Sequence, residues 1–339
     1  MSGVEHHYID RTTGAVRREQ LLANGMIRAM YSPALEKAAV LTQLASSRYV
    51  SRVLGYLNYD NLLSSRATGM LRFLSNAGIQ LSEFVGNLSD YDTPRKLFER
   101  QIQYWNCRPM PKERRSVVCP ADARVLVGSM DKTSGLYLKQ KFFSFPELLG
   151  EDSPWRSAFA GGDYAVFRLT PEKYHYTHMP VSGRVLDFYS VDGRYHPCNP
   201  NAVVQLITPV SKNRRVVTIV DTDLPRGTKI GIVAMIEVVA LMIGQIEQRY
   251  SDERYRSPRT LQPDMFVRAG APKALFRPGS STVVLLFQKG HIRFAPDLIQ
   301  NQQRTGIQNP FSLTMGEPLT ETDVAVRSPL ALPTEEVLC

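Results

Sequence analysis

Residues 276–287 read Phe-Arg-Pro-Gly-Ser-Ser-Thr-Val-Val-Leu-Leu-Phe, a glycine-hydroxyl step running directly into an apolar segment. A short apolar run bounded by Pro278 and Gly279 predicts a buried strand entered through a turn. The same texture recurs upstream in VVCPADARVLVG (117–128), YAVFRLTP (164–171), GRVLDFYSVDGRY (183–195), AVVQLITPV (202–210) and RRVVTIVDTD (214–223). Short β-rich runs separated by turn residues predict a β-dominated domain. Before it, Leu35 to Phe98 reads as helical: Val50, Val53, Leu54 and Leu57 fall at i, i+3, i+4 and i+7, the spacing of one helix face. Pro109 and Pro111 interrupt that pattern.

The expected architecture is therefore α+β. A mainly helical region spans 1–108, a sandwich- or barrel-like β-rich domain spans 109–317, and a loosely structured tail spans 318–339.

With 43% hydrophobic residues over 339 positions, the chain can bury one large core or two smaller ones. Its 41 Lys and Arg against 32 Asp and Glu leave a charge of +9, which favours anionic partners without choosing among them. RNP-like aromatic-basic motifs and helix-turn-helix signals are absent, so nucleic acid is not an expected partner. Cys107, Cys119, Cys198 and Cys339 form no CxxC pair, which argues against zinc and a disulfide framework and fits a reducing compartment. The opening MSGVEHHYIDRTTG is polar where an export signal needs an apolar core, pointing to the cytoplasm. The most apolar stretch, Ile230 to Ile246, carries Glu237 and is rich in Val and Ile. These features suit buried strands better than a membrane span, because a carboxylate at the bilayer centre costs about 2.5–3.5 kcal/mol on insertion scales.

Three clusters carry reactive groups. In Tyr174-His175-Tyr176-Thr177-His178-Met179-Pro180, two histidines stand three apart. A metal pair, a catalytic base and a structural pair are all open readings of that spacing. In Cys119-Pro120-Ala121-Asp122-Ala123, an acid sits in a turn before a strand, where a turn-forming role is the commoner one. In Gly279-Ser280-Ser281-Thr282, a serine gains chemical meaning only if a base can deprotonate it.

The order of these blocks resembles that of the phosphatidylserine decarboxylase family over nearly the whole chain. The matching segments are HHYIDRTTG, LFERQIQYWNCRPM, VCPADARV, KQKFFSFPELLGED, RLTPEKYHYTHMPVSG, GRYHPCNP, KNRRVV, the apolar pair GIVAMIEVVALMIGQI, and FRPGSSTVVLLF at the place of the family's processing site. The resemblance implies a self-cleaving proenzyme. Asp122 takes the place of the acid, His178 of the base, and His175 of a histidine near the substrate. Ser280 becomes a covalent pyruvoyl group after a cut at Gly279-Ser280, with no metal required.

Counting back from Thr282 would give the role to Ser281. Ser280 is preferred because it keeps glycine at the scissile bond. The sequence departs from the family pattern at Ala123, Lys173, Arg214 and the extra Ser281.

The implied reaction converts phosphatidylserine to phosphatidylethanolamine, with a soluble amino acid or another serine-headed lipid as the alternative substrate. The implied partners are an anionic membrane surface on the cytoplasmic side, the chain's own second fragment, and a further homodimer copy. From the residues themselves, Arg48, Arg52, Arg66 and Arg72 allow the helical region two readings of equal weight, an amphipathic surface resting on an anionic membrane and a subdomain packed on the core.

Overall fold

A computed structural model describes residues 5–19, 56–60, 79–130, 145–194, 209–239, 245–279 and 281–334. In chain order its strands begin with β1 (His7–Asp10), β2 (Val16–Arg18), β3 (Val117–Val118), β4 (Ala123–Ser129), β5 (Asp163–Leu169), β6 (Tyr176–His178), β7 (Gly183–Val191) and β8 (Arg215–Asp221). They continue with β9 (Ile232–Val239), β10 (Ile246–Gln248), β11 (Phe266–Val267), β12 (Pro272–Phe276), β13 (Ser281–Phe287), β14 (Ile292–Phe294), β15 (Thr322–Val324) and β16 (Pro329–Pro333).

Among the described residues, the main sheet runs β11-β7-β8-β9-β13-β5-β4-β15-β1-β2, flanked by two three-stranded sheets, β10-β12-β6 and β14-β16-β3. The β-rich expectation holds, while the barrel does not: β11 and β2 stand at opposite edges and the sheet is open.

β13 lies near the middle of the main sheet. It pairs antiparallel with β5 and β9 along all seven residues, from Ser281 opposite Leu169 and Val239 to Phe287 opposite Asp163 and Val233. Side chains alternate across a strand. Val283, Leu285 and Phe287 enter one apolar cluster with Met235, Phe276 and Phe294, whereas Val284 and Leu286 enter another with Leu148, Phe159, Ile236 and Phe311. Both faces are covered, which is why the sequence is an unbroken apolar run instead of an alternating one.

The apolar stretch at 230–246 follows the same logic. Residues 232–239 form β9, and no helix among the described residues is long and apolar enough to cross a membrane. Glu237 shares the parity of Val233 and Met235 and turns toward the β10-β12-β6 sheet. There its carboxylate meets Lys273 Nζ at 2.5 Å and accepts from Thr177 Oγ1 at 2.5 Å, and both charged side chains are fully buried.

The helical reading of 35–98 is corrected where it can be compared. Its described part holds a π-type turn at Tyr56–Asp60, 3-10 turns at Leu81–Glu83 and Leu88–Asp90, and a single α-helical stretch at Pro94–Phe98. Gly86, at φ 87°, and Pro94 break the periodicity that a longer helix would need. Arg48, Arg52, Arg66 and Arg72 lie outside the described residues.

Two further boundaries move. The N-terminal β1 and β2 belong to the main sheet, and the supposedly loose tail supplies β15, which runs between β4 and β1, and β16. Charge explains why such short strands hold. Arg168 on β5 donates to Glu19 and Glu321, Arg124 on β4 lies 2.6 Å from Glu19, and Lys173 lies 2.6 Å from Asp323. His6, Glu19 and Glu321 bring potential ligand atoms within 4.8 Å of one another. The two arginines already saturate those carboxylates, so the cluster is an ion network.

Burial pushes the Glu19 carboxyl up, but Arg168 and Arg124 outweigh it and hold its pKa at about 2; Glu321 is held low in the same way. Depressed carboxylates stabilise the fold above their unfolded value of 4.5 and lose that contribution as pH falls through the folded one. Arg168→Met leaves buried Glu321 without an arginine and Glu19 with Arg124 alone, and is expected to cost about 3–5 kcal/mol at neutral pH, measured by urea unfolding. The difference from wild type should shrink as pH falls from about 4.5 toward 2. A constant difference across that range would exclude the charge network as its cause.

Candidate active site

The turn after β12 delivers Gly279 at φ 151°, a backbone conformation that side chains with a Cβ rarely adopt, just ahead of β13. Ser280 lies outside the described residues, while Ser281 is buried at the first position of β13. Beside this turn runs β6, antiparallel to β12, with the Phe276 amide donating to the His175 carbonyl at 3.0 Å. β-Pairing thus brings the Tyr174–His178 segment alongside the strand that leads into 279–281, two clusters about a hundred residues apart in sequence.

His175 and His178 are both fully buried, but they serve different surroundings. The His175 ring stacks on Phe98 with centroids 3.6 Å apart. Its Nδ1 donates to the Lys173 carbonyl at 2.7 Å, which leaves Nε2 as a buried nitrogen without a hydrogen-bond partner. His178 packs edge-on against Tyr104 at 4.7 Å; its Nδ1 donates to the Gly270 carbonyl at 2.9 Å, and its Nε2 lies 3.0 Å from the Tyr174 hydroxyl. Rings with separate neighbours do not make a shared metal pair. Burial lowers the pKa of each to about 3, so both are neutral at physiological pH.

Asp122 is buried close to both rings, and its charge opposes the burial effect on each. It makes no hydrogen bond to His178. Its carboxylate instead takes a two-pronged contact from Arg108 (Nε 3.1 Å, Nη2 2.9 Å) and the Val326 amide at 2.7 Å. Burial pushes the Asp122 carboxyl up, and Arg108 more than offsets it, so the group is held ionised below its usual value. Arg108 also grips Glu83 through both terminal nitrogens, tying the 81–83 turn to the site.

The structure therefore gathers Asp122, His175 and His178 into one buried neighbourhood and assigns the tautomer of His178 to Gly270, not to Asp122. Sequence reasoning missed Arg108, Phe98, Gly270 and Tyr174. Tyr174 stood inside the histidine cluster, and Phe98 and Arg108 inside the LFERQIQYWNCRPM block; Gly270 carried no local signal, since it meets the site only through tertiary packing.

Comparison with known proteins gives the family. The family model described as phosphatidylserine decarboxylase matches residues 95–321. A phosphatidylserine decarboxylase proenzyme of Chlamydia trachomatis serovar L2 is 29% identical over 300 residues, covering 88% of this chain and 92% of that protein. One from Bordetella petrii is 30% identical over 268 residues, covering 74% and 88%. A phosphatidylserine decarboxylase proenzyme 2 of Oryza sativa subsp. japonica is 32% identical over 231 residues, 67% of this chain and 34% of that one. The chain belongs to the phosphatidylserine decarboxylase family.

Gly270 has φ 76°, and a Cβ added there would collide with Met110 Sδ. Gly290 has φ 75° with open space beyond it. Gly270→Ala should therefore destabilise the protein by about 1–3 kcal/mol and more than Gly290→Ala does, as read from denaturant midpoints. Equal costs would show that the Met110 and Arg327 side chains give way to a Cβ at Gly270.

Proposed function

We propose that the chain is a self-cleaving proenzyme whose product decarboxylates phosphatidylserine to phosphatidylethanolamine at an anionic membrane surface on the cytoplasmic side. The observation that carries this reading is Gly279, at φ 151°, directly before Ser280 and inside the stretch 95–321 that matches the family. Glycine tolerates the crowding of attack on its own carbonyl.

In the first reaction, His178 takes the proton of Ser280 Oγ, which adds to the Gly279 carbonyl. The Ser280 nitrogen leaves that carbonyl, so an ester replaces the peptide bond. Breaking the Cβ–Oγ bond with loss of the Cα hydrogen then frees the Gly279 carboxylate and leaves dehydroalanine. Addition of water and loss of ammonia give an N-terminal pyruvoyl group.

The residues nearby suit such a group: His175 presents a buried, unpartnered Nε2, and the turn at 277–279 is held by Arg277, whose guanidinium pairs with Glu99 and Glu247. The group's carbonyls supply an electron sink when carbon dioxide departs. Among the described residues beside this turn, His175 is placed to hold or return a proton at the substrate, because no described neighbour engages its lone pair. Ionised Asp122 favours positive charge on both histidines.

After the cut, the second fragment still owns β13 to β16. It stays as partner to the first because β13 lies between β5 and β9.

Intact-mass measurement should find chains 1–279 and 280–339, the second blocked to Edman chemistry. Ser280→Ala, His178→Ala and Asp122→Asn should leave the chain folded but largely uncut, with losses of orders of magnitude in rate. His175→Ala should be cut yet release little carbon dioxide from phosphatidylserine vesicles. A mass placing the cut after Ser280 would transfer the role to Ser281. Turnover of a free amino acid with indifference to vesicles would remove the lipid assignment and leave the cleavage chemistry standing.

A further inference from the structure

The bonds of His178 fix the direction of a longer hydrogen-bond chain. The Gly270 carbonyl only accepts, so Nδ1 carries hydrogen, and in the neutral ring Nε2 must accept. The Tyr174 hydroxyl at 3.0 Å is therefore its donor. With its hydrogen directed at Nε2, Tyr174 Oη accepts from Tyr255 Oη at 2.8 Å, and Tyr255 Oη accepts from the Ile102 amide at 3.2 Å. The Ile102 carbonyl, 2.8 Å from the same Tyr255 oxygen, is a second acceptor for the Tyr255 hydrogen.

Protonation of His178 turns both ring nitrogens into donors. The chain can accommodate that by reversing: Nε2–H to Tyr174, Tyr174 to Tyr255, Tyr255 to the Ile102 carbonyl. The hydrogen taken from the serine ends on Nε2, and the phenol hydrogen that faced that lone pair turns to Tyr255. The heavy-atom distances already serve both directions.

We propose that Tyr174 and Tyr255 form a reversible hydrogen-bond chain that satisfies His178 in both protonation states, making Tyr174 a positioning residue for the base of self-cleavage. The inference rests on the reading of His178 as that base.

The surroundings favour it. Tyr174 is buried and stacks on Tyr176, with centroids 5.5 Å apart, and burial holds its phenol protonated. Of the charged groups acting on His178, Arg327 and Arg108 oppose its protonation and ionised Asp122 favours it. None of the three forms a hydrogen bond with either ring nitrogen. Without the phenol oxygen, the neutral ring loses its donor to Nε2 and the imidazolium buries an N–H with no acceptor, a cost that is larger for the charged state.

The test follows the conversion of one chain into two in the full-length protein. Tyr174→Phe should slow cleavage by roughly 10- to 100-fold, and Tyr255→Phe, which spares the bond to His178, should slow it several-fold. Against a Ser280→Ala background, which keeps the chain uncut, Tyr174→Phe should leave the melting temperature within about 2 °C. In 15N spectra of that background, His178 should show a protonated Nδ1 and a bare Nε2 whose resonance moves downfield when Tyr174 becomes Phe. Cleavage of Tyr174→Phe at the wild-type rate, or a protonated Nε2 in the resting protein, would overturn the inference. Normal cleavage of His178→Ala would instead remove the base reading beneath it, so the two failures are distinguishable.

Discussion

The pairing of β13 with β5 on one side and β9 on the other is the constraint on which the rest of the molecule depends. Seven consecutive residues are bonded to both neighbours and covered on both faces, so their position is fixed by hydrogen bonds within the sheet and by close packing above and below it. The reactive turn is the entry to that strand. A self-cleaving bond needs its backbone held in an unfavourable conformation, and a rigid strand immediately downstream is a physical means of holding it. On the upstream side, β12 pairs with β6 and brings the two histidines alongside.

The ends of the chain contribute to the same sheet through charge. β1 and β15 are short, and strands of three or four residues bring little apolar area. What they bring is Glu321 and Asp323 on one side and the flanking His6 and Glu19 on the other, arranged around Arg168, Arg124 and Lys173. Burying such groups is unfavourable one at a time, and the arrangement holds because each carboxylate faces at least one cation. The region is thereby tied together by complementarity more than by hydrophobic area.

Much of the β half was legible in the sequence because strands buried on both faces leave a periodicity-free apolar signature, as 232–239 and 281–287 do. The edges were not legible. Thr322–Val324 is too short to show a pattern, and its strand character comes from its neighbours β4 and β1. The helical reading of 35–98 failed in its described part because apolar spacing survives in irregular chain that packs on a core, with Gly86 and Pro94 as the overlooked breakers. At the site, resemblance named Asp122, His175 and His178, and the fold does gather them. It could not supply the bonding order, because the partner of His178 Nδ1 is a backbone carbonyl, which no residue type announces. Lys173, a departure from the family pattern, finds its reason in Asp323, an acid from the far end of the chain.

With the cut placed as proposed, ahead of β13, the order of the folding reaction also changes. Before cleavage, closing the main sheet is an event within one molecule, and the loop joining β12 to β13 keeps the two halves at high effective concentration. After cleavage, the same strand belongs to a separate polypeptide, and assembly of the sheet from unfolded material becomes bimolecular and dilution-sensitive. The native contacts are the same in both cases, but the route back to them is not. A chain that folds first and cuts afterwards reaches its mature state by a path that the mature fragments, once unfolded and separated, cannot retrace on equal terms.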